Sequence, residues 1–181
     1  MAQVTPYNGL MAITIRPATR DDVPQILAFI RALAEYEREP DAVNATVEDL
    51  LRDGFGPQPF YRCLMAEQGG RPAGFALYFF NYSTWLGRPG LYLEDLFVLP
   101  ELRGLGVGKA LLQRVAQEAV ENNCQRLQWE VLDWNTPAID FYRAMGAEFL
   151  DEWRNVRVSG KALLTLAGQK DDATSTAGAA S

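Results

Sequence analysis

The spacing of apolar residues predicts a strand and then a helix at the start of the chain. Residues 12–16 alternate between apolar and polar side chains, as in a half-buried strand. In the next segment the apolar residues recur at steps of three and four, which places them on one helical face. They are Val23, Ile26, Leu27, Ile30, Leu33 and Ala34. Thr19 or Asp21 could cap this helix. Pro24 favours Asp21, because the proline then lies in the first turn, where its missing N–H costs nothing.

The middle of the chain predicts a short helix followed by three strands. The helix lies near residues 47–53 and ends at Gly54. The strands cover residues 61–67, 73–82 and 91–98. The first two are separated by Gln68-Gly69-Gly70-Arg71-Pro72, which is typical of a hairpin turn.

The second half predicts a helix at 108–122, a strand at 126–132 and a short helix at 136–145 that Gly146 closes. Residues 147–158 and 161–167 are predicted as a final pair of strands. We expect a flexible extension over 1–11, one domain over 12–168 and a disordered tail over 169–181. The order is that of a single mixed α/β (α+β) domain with an antiparallel first half.

Composition and charge narrow the chemistry. The 181 residues contain no histidine, which excludes Ser-His-Asp and Cys-His catalytic units and histidine-ligated metals. The net charge of −6 makes nucleic acid a poor partner and a cationic small molecule a better one. Cys63 and Cys124 form no CxxC pair, and we see neither a secretory signal nor a membrane span. We therefore expect a cytoplasmic protein without a metal.

A glycine-rich loop before the helix at 108–122 has the pattern of an anion site. Its sequence is Arg103-Gly104-Leu105-Gly106-Val107-Gly108. Glycines let the backbone approach a phosphate, and the first N–H groups of a helix have no partner within it. A nucleotide P-loop is excluded, because Arg103 stands at its first glycine and Ala110 at its Ser/Thr. A Rossmann fingerprint is disfavoured, because Lys109 stands at its last glycine. The pattern [RQ]xxGx[GA] is matched in full by Arg103, Gly106 and Gly108.

That last pattern is the pyrophosphate signature of the GCN5-related N-acetyltransferase superfamily, which the chain resembles from about residue 13 to 166. The resemblance is strongest to its diamine branch, which acetylates spermidine, spermine and thialysine. It is carried, beside the loop, by IRPAT at 15–19, LAEYE at 33–37, DGFG at 53–56, LYLEDLFV at 91–98 and WNTPAIDFY at 134–142.

The resemblance implies a mostly antiparallel sheet that splays between its fourth and fifth strands, with helices on both faces and acetyl-CoA in the gap. Backbone of the fourth strand would bind the pantetheine arm, the loop the pyrophosphate, and a segment after the fifth strand would complete the cofactor site. These residues are Leu96, Phe97, Val98, Arg103, Gly104, Leu105, Gly106, Val107, Gly108, Lys109, Asn135, Thr136, Pro137 and Ala138. Arg103 would add its charge at the rim of the anion site. Asn135 could also cap the helix that begins at Thr136.

Glu94 is the candidate general base. It interrupts an otherwise apolar strand, where a carboxylate is unfavourable unless it has a partner or a function. An ion pair or a solvent-facing strand edge is the alternative. Asp95 ranks lower, because it would point to the opposite face of a regular strand.

Tyr142 is the candidate acid. On the sequence alone core packing would be the better explanation of this residue, and its match to the family's Asn…Phe-Tyr pattern reverses that preference. The resemblance also implies a set of residues that contact the amine. They are Tyr36, Glu37, Glu94, Gln128, Trp129, Glu130 and either Asp151 or Glu152.

The sequence and its resemblance thus predict an enzyme that transfers acetyl from acetyl-CoA to a polyamine, a diamine or a lysine-like (thialysine) amine. The resemblance also implies a homodimer. An acetyltransferase for protein, peptide or drug amines is the alternative within this class. A non-catalytic acetyl-CoA sensor is the alternative outside it.

Overall fold

The computed structural model describes residues 12–169, and a five-stranded sheet organises these residues as far as Trp134. The strands are β1 (Ile13–Pro17), β2 (Arg62–Gln68), β3 (Arg71–Ser83), β4 (Arg88–Val98) and β5 (Leu127–Gln128). The helices are α1 (Val23–Tyr36), α2 (Val47–Phe55), α3 (Val107–Glu121), α4 (Thr136–Ala144) and α5 (Gly160–Leu166). A compact unit ends at Trp134, and a second begins at Asn135 and contains α4 and α5.

The sheet has the predicted splay. β1 to β4 pair antiparallel in chain order, whereas β5 pairs parallel with β4. That last pairing involves only Leu91 with Leu127 and Tyr92 with Gln128, although β4 continues to Val98. The carboxyl half of β4 therefore has no β5 partner, which confirms the predicted opening between the fourth and fifth strands.

Helices cover both faces of the sheet. On one face α1 packs through Phe29, whose ring lies 5.8 Å from that of Phe75 and 5.6 Å from that of Phe97. α2 joins the same apolar cluster through Leu50. On the other face α3 contacts β3 and β4 and buries Val107, Leu111 and Val115 among others. Leu111 thus belongs to the buried side of α3, whereas Ala116 is exposed.

Two helix ends differ from the predictions. Thr19, not Asp21, makes a capping box with Asp22 at the short 3-10 turn before α1, because Asp22 reaches back to the Thr19 N–H at 2.7 Å. The backbone of α2 continues through Gly54 and ends at Phe55, before Gly56. In both places the local pattern marked the end correctly to within a few residues, as capping signals do.

The predicted final pair of strands is wrong. Residues 147–158 have no regular structure, and the segment predicted as the last strand forms the helix α5. The predicted strand at 126–132 is shortened to Leu127–Gln128. Gly146, by contrast, closes α4 as predicted, with a φ of 86° and its N–H donated to the Arg143 carbonyl. The expected extension over 1–11 and the tail from 170 onward lie outside the described residues.

Candidate active site

The glycine loop forms an open anion cradle at the start of α3. Gly104 and Gly106 have φ angles of 76° and 91°, in the region that glycine adopts most easily. Gly106 is the N-cap of α3, and no side chain caps the helix there. The first N–H groups of α3 therefore face outward without an intramolecular cap, and the helix dipole adds about half a positive charge. These features fit a pyrophosphate, as the sequence predicts.

Arg103 lies folded back over the protein, not outward at the rim. Its Nε donates to the Val98 carbonyl oxygen at 3.1 Å. Its guanidinium carbon lies 4.4 Å from the ring centroid of Tyr36 and 5.9 Å from that of Phe97. A planar guanidinium stacks well on aromatic rings, which explains the arrangement. Arg103 thus ties the loop to the end of β4 and to the last residue of α1.

A β-bulge interrupts β4 at Glu94, directly before Asp95. Asp95 pairs with Leu77 and Leu93 pairs with Tyr78, so Glu94 is an extra residue in β4. Asp95 lies on the face of Phe97, towards α1, and because of the extra residue Tyr92 lies on that face too. Glu94 itself is exposed. The simple alternation used in the sequence prediction fails here, since it allows for no bulge.

The electrostatics of this region favour a cation. Burial, with repulsion from Glu94 and Glu37, raises the pKa of Asp95 to about 7. Burial also raises the pKa of Glu37 at the end of α1. The pKa of Tyr92 is raised by burial and by its hydrogen bond to Glu130, whose carboxylate accepts from the phenol. Glu37 and Glu94 are therefore close enough to Asp95 to raise its pKa, and Glu94 and Glu130 are close enough to Tyr92 to raise its pKa. A positive ligand would relieve the repulsion among these negative charges.

The other residues of the first unit that were predicted to contact the amine lie on α1 and at or just after β5. Tyr36 lies under Arg103, and its ring centroid is 6.1 Å from that of Trp134, a residue that the sequence prediction did not include. Gln128 pairs with Tyr92 at the short β4–β5 ladder, and Trp129 follows it, partly buried. In the sequence, only its position next to Asn135 could have pointed to a role for Trp134 in this region.

In the second unit, Asn135 acts as the predicted cap. Its Oδ1 accepts from the Ala138 N–H at 3.4 Å, and Thr136 and Pro137 open the first turn of α4. Tyr142 is buried on α4, and its ring centroid lies 5.2 Å from that of Phe141. Glu152 is exposed in the irregular segment, as is Asp151. Among residues 12–169 there is no group of three or more Asp, Glu or Cys side chains placed to hold a metal ion.

A phosphate cradle beside the unpaired half of β4, with acidic side chains nearby, suits a phosphate-bearing cofactor and a cationic ligand. The sequence matches the Acetyltransferase (GNAT) family over residues 25–147, and the chain belongs to this family. It is therefore an acetyl-CoA-dependent N-acetyltransferase, as the sequence predicts.

Relatives of known activity cover nearly the whole chain. The thialysine N-epsilon-acetyltransferase of Bos taurus is 45% identical over 168 residues, which are 87% of this chain and 98% of that protein. The human spermidine/spermine N(1)-acetyltransferase-like protein 1 is 39% identical over 166 residues, 86% of this chain and 24% of that protein. These relatives support the diamine branch.

Solved structures have the same fold. An integron cassette protein from V. cholerae superposes with a TM-score of 0.73 at 27% identity, over 87% of this chain and 98% of that one. An aminoglycoside acetyltransferase from an uncultured soil metagenomic sample has a TM-score of 0.69 over 82% of this chain and 97% of that one. Its identity of 18% makes that second likeness one of fold alone.

Proposed function

We propose that the protein acetylates a primary amine of a polyamine, a diamine or a lysine-like small molecule such as thialysine, by direct attack in a ternary complex. The observation that carries this proposal is the carboxyl cluster of Glu37, Glu94 and Asp95 beside the unpaired half of β4, at the edge that the loop adjoins. The cluster matches a cationic acceptor in charge, and the curated relatives act on amines of that kind.

The proton of the amine is the first chemical obstacle. An alkylammonium group with a pKa near 10.4 is deprotonated in about one molecule in a few thousand at pH 7, a scarcity that costs about 4–5 kcal/mol. Glu94, directly or through water, and Asp95 would together accept this proton. A carboxyl with a pKa of about 7 is well matched to that task near neutral pH.

The second obstacle is the departure of the thiolate. The nitrogen bonds to the acetyl carbon as the C–S bond breaks, and the Tyr142 hydroxyl would donate a proton to the departing sulfur. The second proton that the nitrogen loses as the amide forms would restore the phenol, directly or through water. Backbone of Leu96, Phe97 and Val98, the N–H groups from Gly104 to Lys109 and the segment from Asn135 to Ala138 would hold the cofactor. These roles rest on the family pattern and on the open backbone of the cradle.

Release of CoA thiol tests the proposed substrate class directly. The assay compares spermine, spermidine, putrescine, lysine and thialysine at equal concentration, with a peptide amine and an aminoglycoside as controls. We expect turnover with at least one of the five small amines and little with the controls. Turnover confined to the peptide or the aminoglycoside would overturn the proposal.

A homodimer in the cytoplasm completes the proposal. Apolar side chains are exposed at and beside the β3–β4 turn, among them Tyr82, Trp85 and Leu86, and such patches often mark association surfaces. The unpaired thiols of Cys63 and Cys124 are consistent with a reducing compartment. In the described residues no helix has the length and apolar character needed to cross a membrane. Sedimentation velocity measures the state of association.

Substituting Gly104 by alanine should weaken cofactor binding specifically. Gly104 and Gly70 have nearly the same φ, 76° and 75°, and a Cβ at either position would meet no atom within 4 Å. Gly104→Ala and Gly70→Ala should therefore cost about the same stability, roughly 1 kcal/mol each. Only Gly104→Ala should raise the KM for acetyl-CoA, by about fivefold to tenfold, because only that backbone would contact the phosphates. Equal KM values in both variants would remove Gly104 from the cradle.

A further inference from the structure

α1 ends in a turn that places an arginine where glycine is normal. The Glu39 N–H donates to the Ala34 carbonyl and the Arg38 N–H to the Glu35 carbonyl, which together form a Schellman motif. Arg38 occupies its left-handed position with a φ of 68°. A non-glycine side chain is disfavoured in that conformation, so its presence calls for a compensating role.

The Arg38 side chain is held on an aromatic face. Its guanidinium carbon lies 4.3 Å from the ring centroid of Trp134. Trp134 packs 6.1 Å from Tyr36, which in turn lies under Arg103 at 4.4 Å. The two guanidinium groups thus bracket a pair of aromatic rings. A guanidinium stacked by its face keeps its N–H groups at the edge, where they can bind an anion in two parallel hydrogen bonds.

No carboxylate of the described residues forms an ion pair with Arg38. Glu35, Glu37 and Glu39 surround it in the sequence, yet the ion pairs found among residues 12–169 involve other arginines. Arg38 is exposed, so its hydrogen-bonding edge is accessible to a ligand. A fixed, accessible guanidinium beside an acidic cluster is suited to the anionic end of a molecule whose other end is cationic.

We propose that Arg38 binds the α-carboxylate of a lysine-like amino acid and thereby selects amino acids over diamines as acetyl acceptors. This inference rests on the proposed function and narrows its substrate class. The side-chain ammonium of such an amino acid would face Glu37, Glu94 and Asp95, and its carboxylate would face Arg38, the residue after Glu37. A diamine lacks the carboxylate and brings a second cation towards the guanidinium, which repels it.

Lysine and cadaverine form the matched substrate pair, because they differ only in the carboxylate. Arg38→Gly should lower kcat/KM for lysine about tenfold, mainly through KM, since a charge-assisted hydrogen bond is lost. The value for cadaverine should not fall. The thermal midpoint should stay constant or rise, because glycine is preferred at the left-handed position. Arg38→Lys should recover part of the selectivity, as it keeps the charge but not the planar fork.

Asn123→Gly is the matched control. Asn123 has a φ of 58° after the end of α3, so the substitution relieves the same backbone strain without touching Arg38. It should leave the lysine-to-cadaverine ratio unchanged. An unchanged ratio in Arg38→Gly would overturn the inference. The inference would also be overturned if Arg38→Gly lowered kcat/KM equally for both amines and raised the KM for acetyl-CoA but not that for 3′-dephospho-acetyl-CoA. Arg38 would then bind a cofactor phosphate.

Calorimetric binding of lysine and cadaverine in the presence of CoA separates this inference from the proposed function. It requires no turnover, so the contribution of Arg38 to carboxylate binding is measured even if neither amine is acetylated. If neither amine is acetylated but lysine still binds more tightly than cadaverine through Arg38, only the proposed reaction is contradicted. Turnover without such a preference would contradict the inference alone.

Discussion

Tyr142→Phe should lower kcat by about 10²- to 10³-fold and leave the affinity for CoA nearly unchanged. The substitution removes one hydroxyl and keeps the ring, which is buried on α4 beside Phe141. If that hydroxyl protonates the departing sulfur, its loss affects only the transition state, and general acids contribute effects of this size. Loss of transition-state stabilisation lowers kcat and kcat/KM together.

Single-turnover kinetics and CoA binding by calorimetry measure the two sides of this prediction. Tyr82→Phe removes the same hydroxyl from an exposed tyrosine at the end of β3 and should have no effect on either. Unaltered turnover in Tyr142→Phe would remove the phenol from the mechanism. A matching loss of CoA affinity and thermal stability would instead assign Tyr142 a packing role.

Features set by local backbone geometry could be predicted from the sequence. The loop from Arg103 to Gly108 and the closure of α4 at Gly146 both depend on glycines with positive φ. Few residue types are found at such positions, because a side chain makes the left-handed conformation unfavourable. The cap at Asn135 is local in the same sense. These features follow from a few adjacent residues.

Features that depend on distant partners could not be predicted. Apolar and polar residues alternate around Trp153, Val156 and Val158, yet a strand is stabilised by its neighbours and not by its own pattern. The segment from Gly160 to Leu166 is rich in strong helix formers, and this local preference prevails in α5. Likewise, no pattern near Arg103 reveals that it stacks on Tyr36, a residue of another helix.

The bulge at Glu94 shows the same limit within the catalytic region. Period-two alternation assigned Asp95 to the face opposite Glu94, because nothing in the sequence marks an inserted residue. In the observed register Asp95 and Phe97 share the face towards α1, and the inserted residue brings Tyr92 to that face as well. Bulges near active sites commonly redirect a side chain in this way.

Asp95→Asn should stabilise the protein at pH 8 and still lower its activity. The carboxyl titrates near 3.8 in the unfolded chain and at about 7 in the folded one. Between these values the folded chain binds the extra proton, so wild-type stability falls as the pH rises and levels off above 7. Asparagine cannot ionise, so the free energy of unfolding of the variant should exceed that of wild type by about 2 kcal/mol at pH 8. This figure takes about 1.4 kcal/mol for each unit by which the pKa is raised and is reduced for solvent screening. Thermal midpoints at pH 4 should differ little.

The activity of these variants has a distinct pH signature. Wild-type kcat/KM should rise through a pKa near 7 that belongs to Asp95, and Asp95→Asn should lose this limb and about 10²-fold in kcat/KM. Glu94→Gln should move the limb to lower pH, because Glu94 helps raise the pKa of Asp95. Asp49→Asn on α2 is the control, since that carboxylate is not among the groups that raise the pKa of Asp95. A limb that persists near pH 7 in Asp95→Asn would show that Asp95 does not accept the proton, and Glu94 would remain the candidate base.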